Sequence, residues 1–325
     1  MKTLRFALGL AFLIAAAAYY RTESPYAGFS GRVFVDLPPG ASTAAIARSL
    51  AEAGVIRSPL DFLLVRALQR GRKLQAGEYA FSHPDTAAGV YRRIARGDIF
   101  FFELKVPEGK NMFEIAAEAA KLGLFSEEAF LDAARDPGAI RDLDPRAPTL
   151  EGYLFPDTYR INHRTTPGQL CGMMTARFRA AWRGLHTQAG VHDAVTMASL
   201  VEKEARLPAE RPLIAGVFDN RLRIGMKLDC DPTVIYAALR HEAYRGAIHE
   251  SDLQREDPYN TYRFAGLPPG PIANPGLAAI RAALEPARST ALYFVLRPDD
   301  SGSHEFSAKL NDHKKAVTRY RRGRR

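Results

Sequence analysis

The sequence predicts an α+β protein in three successive parts: an N-terminal anchor helix over residues 1–22, small strand-helix-helix units over 30–145, and a mostly helical domain with a few strands over 150–325. Three observations predict it. The chain opens on an uncharged apolar run, a strand-turn-helix pattern then occurs twice, and from about Leu150 long helical periodicities alternate with loops rich in Pro, Gly, Asn and Asp. At 325 residues with 46% hydrophobic content, the chain can bury a substantial core and is neither disordered nor fibrous. The formal charge of +9 is spread along the chain without any nucleic-acid-binding motif, so a nucleic acid partner is not expected; a membrane face or an anionic polymer suits the charge equally well.

Lys2 and Arg5 precede an uncharged stretch from Phe6 to Tyr20, closed by Arg21. A basic flank, an apolar segment and an aromatic pair at its end form an export segment. Its 15 uncharged residues fall short of the roughly 20 that a full span needs. Leu4 and the snorkelling stems of Arg5 and Arg21 can extend it. The small residues Ala15 to Ala18 also permit cleavage; an uncleaved single-pass anchor is the preferred reading, and either way the body lies outside the cytoplasm. Two cysteines, Cys171 and Cys230, are too few for a zinc site and leave open a disulfide or two free core thiols.

VFVDLPPGASTAAIARSLAEAGVIRSPLDFL from Val33 and FELKVPEGKNMFEIAAEAAKLGLFSEEAFL from Phe102 share one plan. Each has an alternating strand, a Pro-x-Gly turn and a helix: Ile46, Leu50 and Ala53 share a face before Gly54, as do Ile115, Ala119 and Leu122 before Gly123. Second helices open at Ser58-Pro59 and at Ser126, and Leu74 to Phe81 supplies a returning strand in the first unit. The plan resembles a LysM carbohydrate-binding module, the alternative being a packing platform. A domain boundary is expected at Asp144 to Pro148, and Thr290 to Leu296 is read as a strand.

VHDAVTMASLVEKEARL reads as one helix ended by Pro208, with Glu202 and Glu204 in its last turns. Residues two apart point about 200° apart on a helix, so one acid should face a cleft and the other solvent or the neighbourhood of Lys203. Downstream loops are dense in Tyr, Asn, Thr, Asp and Gly, the residue types that stack on sugar faces and bond to sugar hydroxyls. Taken together, EGYLFPDTYRI (Glu151 to Ile161), TMASLVEKEA (Thr196 to Ala205), NRLRIGMKLDCDPTVIYA (Asn220 to Ala237), YNTYRFAGLPPGPIANPG (Tyr259 to Gly276) and HEFSAKLNDH (His304 to His313) resemble, in order, the YceG-like or MltG-type endolytic murein transglycosylases. One departure is Asp229-Cys230, where neutral polar residues such as Gln-Thr are expected.

The resemblance implies an endolytic peptidoglycan lytic transglycosylase at the bacterial inner membrane, with its catalytic domain outside the cytoplasm and membrane-bound cell-wall synthases as partners. It puts the catalytic acid and base on Glu204, and that role calls for a raised pKa from an apolar wall, with Met197, Leu200 and Val201 as candidates. Asp231, Thr233, Tyr259, Asn260, Thr261 and Tyr262 are expected to contact the glycan or else to shape their loops. Glu151, Asp157 and Tyr159 border the cleft, or Glu151 instead caps a helix or pairs with a basic neighbour; His304 and His313 orient loops or contact substrate. Arg221 and Arg223 bind stem peptides or pair with Glu202 or Glu210. No cofactor and no metal is expected, since His241, His249, His304 and His313 lack metal-binding spacing. The rivals are a hydrolytic muramidase using Asp229, Asp231 or Glu202 as second carboxylate, and a non-catalytic glycan-binding scaffold.

Overall fold

The structure, a computed structural model, describes residues 2–69 and 71–323. Its contacts divide the chain between Phe102 and Glu103.

In the first unit, α1 (Lys2–Glu23) leaves Phe6, Leu8, Phe12 and Ile14 exposed, and its last turn is tied to the next helices by Arg21, whose Nε donates to Asp61 Oδ1 at 2.7 Å. The expected single-pass span falls on this helix. No helix among the described residues is long and apolar enough to cross a membrane, and Met1 lies outside them.

Strand β1 (Val33–Leu37) is followed by α2 (Thr43–Glu52) and α3 (Pro59–Leu68), and β2 (Gly77–Phe81) returns antiparallel to it with Val33 opposite Phe81. The local chemistry explains the boundaries. Ser42 Oγ accepts from Ala45 N–H to start α2, Gly54 at φ +70° follows its end, and Ser58 with Pro59 at the first helical position starts α3. Alternation turns Val35 and Leu37 of β1, and Tyr79 and Phe81 of β2, onto Leu50, Phe62 and a further helix, α4 (Ala87–Arg96), which buries Val90, Tyr91 and Ile94. Thr86 caps α4 at one end and Gly97, left-handed at φ 77°, at the other.

The second unit begins within β3 (Phe102–Lys105), followed by α5 (Met112–Ala120) and α6 (Glu127–Arg135), opened by Asn111 and Ser126 caps. Strand β4 (Thr158–Ile161) pairs with β3, so this stretch also closes as strand-helix-helix-strand. That pairing bridges residues 144–148, the stretch expected as a domain boundary. Beyond it run α7 (Pro167–Arg183), α8 (Val191–Glu204), α9 (Arg211–Arg223), α10 (Asp231–Arg240), α11 (Glu250–Leu253) and α12 (Leu277–Leu284). Strands β5 (Tyr293–Leu296) and β6 (His304–Ser307) form an antiparallel hairpin, and α13 (Leu310–Gly323) follows. Helix α8 is the axis of this unit: Met197, Leu200 and Val201 pack on Ile214 and Phe218 of α9, Tyr236 of α10 and Ala282 of α12.

Candidate active site

Helix α8 ends at Glu204, where Ala205 turns to an extended ψ of 112°. The expected stop at Pro208 comes three residues late, because Pro208 opens a short 3-10 turn of its own. Glu202 and Glu204 leave the last turn in different directions, but neither points to open solvent. The Glu202 side chain is 6% exposed; Oε1 accepts from an Arg211 guanidinium nitrogen at 3.0 Å and Oε2 from the Gly276 N–H at 3.0 Å. Of the surroundings expected for the second acid, solvent is not the one Glu202 meets, since Arg211 and the start of α12 cover that face of the helix.

Glu204 lies in a cleft of about 380 Å³ whose apolar walls are Phe218, Leu228, Phe294 and Leu310. Its polar rim is Arg221, Asp229, Asp231, Tyr262, Tyr293 and His313. Burial raises the pKa of the Glu204 carboxyl; the Cys230 thiol and Arg221 pull it down, while the charge of Asp231 pushes it up. The rise has the expected sign but a different source: Met197, Leu200 and Val201 belong to the core packing of α8, and the apolar wall comes from α9, the Leu228 turn, β5 and α13.

Asp231 opens α10, and its Oδ1 accepts from the Tyr262 hydroxyl at 2.6 Å, so both expected residues meet at the cleft. Asp229, on the turn before, holds a positive φ of 45° that Asp tolerates better than most residues; burial raises its carboxyl pKa against the pull of Arg221 and Lys227. Arg221 is buried, donating Nε to Leu292 O at 2.6 Å and an NH group to Leu228 O at 2.7 Å, with Asp229 3.8 Å away. It does not pair with Glu202 or Glu210. Arg223 pairs instead with Asp219 at 3.4 Å. His313 stacks on Tyr293 at 5.1 Å; burial and the nearby Arg221 lower its pKa, which keeps the imidazole neutral at pH 7, and its Nδ1 is buried without a hydrogen-bond partner.

The other six expected contact residues, Thr233, Tyr259, Asn260, Thr261, His304 and Glu151, lie elsewhere. Thr233 and Thr261 are buried, with their hydroxyls 2.9 Å apart. Asn260 is buried and spends its amide on the carbonyls of Asp252, Leu253 and Arg255. Tyr259 packs on Tyr236 at 5.1 Å beneath Arg240. Their polar atoms hold the loop together, the alternative allowed for them. His304 is also buried, Nδ1 at 2.6 Å from Glu210 Oε2 and its backbone N–H donating to Oε1 at 2.8 Å, so it joins β6 to the turn before α9. Glu151 is buried at the start of α5, accepting from Met112 N–H at 2.9 Å and from Asn274 Nδ2 at 2.7 Å, which is the capping alternative. Asp157 pairs with Arg177 at 2.6 Å, and the Tyr159 hydroxyl donates to Phe155 O.

The chain matches the YceG-like family profile over residues 35–319. It belongs to the YceG-like family. An "Endolytic murein transglycosylase" of Bacillus subtilis (strain 168) is 33% identical over 311 residues, covering 89% of this chain and 84% of that protein. One of the same name from Streptococcus pneumoniae (strain D39) is 30% identical over 89% of this chain, which spans 58% of the longer relative. The crystal structure of a YceG-like protein from Listeria monocytogenes matches with a TM-score of 0.56 at 30% identity, covering 88% of this chain and 99% of that one.

Within this YceG-like chain, Cys230 stands out in the sequence as part of the Asp229-Cys230 departure but was given no role at the site, and its Sγ lies 3.2 Å from Glu204 Oε1. That departure, beside Asp231-Pro232-Thr233, was the signal. Tyr293 was read only as part of a strand, yet it faces the cleft. Cys171 and Cys230 are both free, buried thiols. Among the described residues no group of three His, Cys, Asp or Glu side chains is placed to hold a metal ion.

Proposed function

We propose that this YceG-like protein is an endolytic peptidoglycan lytic transglycosylase with Glu204 as its single acid and base. The observation that carries the proposal is a desolvated carboxyl, its proton affinity raised by burial, at the wall of an open cleft with tyrosines on its rim. The relatives named endolytic murein transglycosylases support the substrate class.

In the proposed reaction protonated Glu204 gives its proton to the oxygen linking MurNAc to GlcNAc, and the C1–O bond breaks. The resulting carboxylate takes the proton of the C6 hydroxyl of the same MurNAc as that oxygen closes onto C1. Atoms balance without water, the product carries a 1,6-anhydro end, and Glu204 is left protonated for the next cycle. The nucleophile is tethered to the reacting carbon, so proximity stands in for a second protein group. The same proposal includes termination of nascent strands near the membrane, attachment through α1, contact with cell-wall synthases, and a LysM-like glycan-binding role for the strand-helix-helix-strand units. Exposed Phe6, Leu8, Phe12 and Ile14 on α1 suit an apolar surface.

A second reading, hydrolysis, is favoured by one observation: Asp229 and Asp231 share the cleft with Glu204 and offer a second carboxylate. Mass spectrometry of products from uncrosslinked glycan strands separates the two. Anhydro-MurNAc ends that disappear in Glu204→Gln and persist in Glu202→Gln are the expected result; reducing ends one water heavier mean a hydrolase, and intact strands at every enzyme concentration mean a scaffold.

A further inference from the structure

Cys230 is the residue that bonds to the Glu204 carboxyl, with Sγ–H donating to Oε1 at 3.2 Å. Its backbone is held on both sides. The N–H donates to Thr261 Oγ1 at 3.0 Å, and the carbonyl accepts from Thr233 N–H at 3.0 Å and from Thr233 Oγ1 at 2.6 Å. Cys230 occupies the cap position of α10, yet its side chain makes no capping bond. The thiol proton is thereby directed at Glu204, and two buried threonines, Thr233 in the first turn of α10 and Thr261 in the loop after α11, fix where it points.

We propose that Cys230 is a positioning residue: its thiol holds Oε1 of Glu204, so that the proton is delivered to the glycosidic oxygen from the other carboxyl oxygen, and Thr233 and Thr261 hold the thiol. The proposal rests on Glu204 being the acid of the proposed reaction. A thiol suits the task because it orients with little charge stabilisation. The S–H group is a weak donor, so it leaves Glu204 most of the proton affinity that burial confers. Burial and the adjacent Glu204 also push the ionisation of Cys230 well above its ordinary value, which keeps it a donor throughout the working pH range. The other groups facing Glu204 are Asp231 from α10, Asp229 from the preceding turn, Arg221 from α9, Tyr262 from the loop after α11, Tyr293 from β5 and His313 from α13. All of them are retained in a variant changed only at position 230.

The test follows kcat and KM against pH on uncrosslinked glycan strands for the full chain, Cys230→Ser, Cys230→Ala and Glu204→Gln, with melting temperatures as a fold check. Activity needs protonated Glu204, so it falls as pH rises through the Glu204 pKa. A serine hydroxyl is a stronger donor to the carboxylate, and Cys230→Ser should move that alkaline limb down by about one pH unit, roughly a tenfold loss on the alkaline side. Cys230→Ala should move the limb up and lower kcat about tenfold with KM little changed, since orientation is lost and binding is not. If both variants fold and keep the wild-type limb and kcat, the role of Cys230 is overturned while an inactive Glu204→Gln leaves the acid in place. If Glu204→Gln remains active, the assignment of the acid itself falls. Should Cys230→Ala fail to fold, the shift in Cys230→Ser decides the matter alone.

Discussion

Glu151 shows how a residue that looks like a binding group can be a structural one. Buried at the start of α5, it accepts from Met112 and Asn274, and desolvation pushes its pKa up to about 8 from 4.5. The folded state keeps a proton that the unfolded chain releases. Its stabilising contribution is therefore complete below about pH 4.5 and is lost as pH rises through about 8. Denaturant unfolding of the wild type should show stability declining across that window, and Glu151→Gln should flatten the decline, because Gln offers one acceptor oxygen to Met112 and Asn274 and remains neutral. Glu151→Ala, which orphans those donors, should cost about 2–3 kcal/mol. A wild-type profile as flat as that of Glu151→Gln would disprove the protonated state. In the sequence this acid was indistinguishable from a cleft residue, since the same carboxyl can bond a sugar or a backbone N–H.

At the scale of elements, the end of α8 is joined to its neighbours by Glu202, which bonds Arg211 at the start of α9 and the Gly276 N–H at the start of α12. Without it, the remaining ion-pair partner of Arg211 among the described residues is Glu108 at 3.7 Å. Glu202→Gln should lose about 2–3 kcal/mol of stability, because a largely buried guanidinium loses its closest partner, while kcat at a permissive temperature stays near wild type. Glu204→Gln should do the reverse, keeping or raising the melting temperature while abolishing product. Calorimetry and strand cleavage on both variants check the pair; equal losses of kcat would refute the division of labour between the two acids. The helices themselves were largely legible. Ser58-Pro59, Ser126, Gly54 and Gly123 mark boundaries through backbone geometry that is local to each turn. Helix α4 was not read, although Val90, Tyr91 and Ile94 share a buried face, and neither was β4, a strand of only four residues.

At the scale of the whole molecule, one hydrophobic core among the described residues lies around Phe62, Tyr79 and Tyr91 in the unit ending at Phe102, and another lies around α8 in the unit that follows. A large-to-small change in the first core should act on that unit. Phe62→Ala, at a fully buried ring 5.6 Å from Tyr91, should cost about 3–5 kcal/mol and lower one thermal transition while leaving the transition of residues 103–325, and the pH profile set by Glu204, where they were. Differential scanning calorimetry showing a single transition shifted as a whole would mean that the two cores unfold as one.

Fold class, most helix boundaries, family and the identity of the candidate acid follow from residue order alone, because caps, periodicity and long motifs are local or contiguous. The sequence cannot state which of the polar loop residues turn inward. Thr233, Thr261, Asn260 and His304 have side chains that suit a sugar hydroxyl and a buried backbone group equally, and only packing among α8, α10, β6 and their loops places them inside. The same packing brings Cys230 to Glu204 across 26 residues of sequence. Proximity of that kind is a property of assembled elements, and it sets the environment on which the chemistry of Glu204 depends.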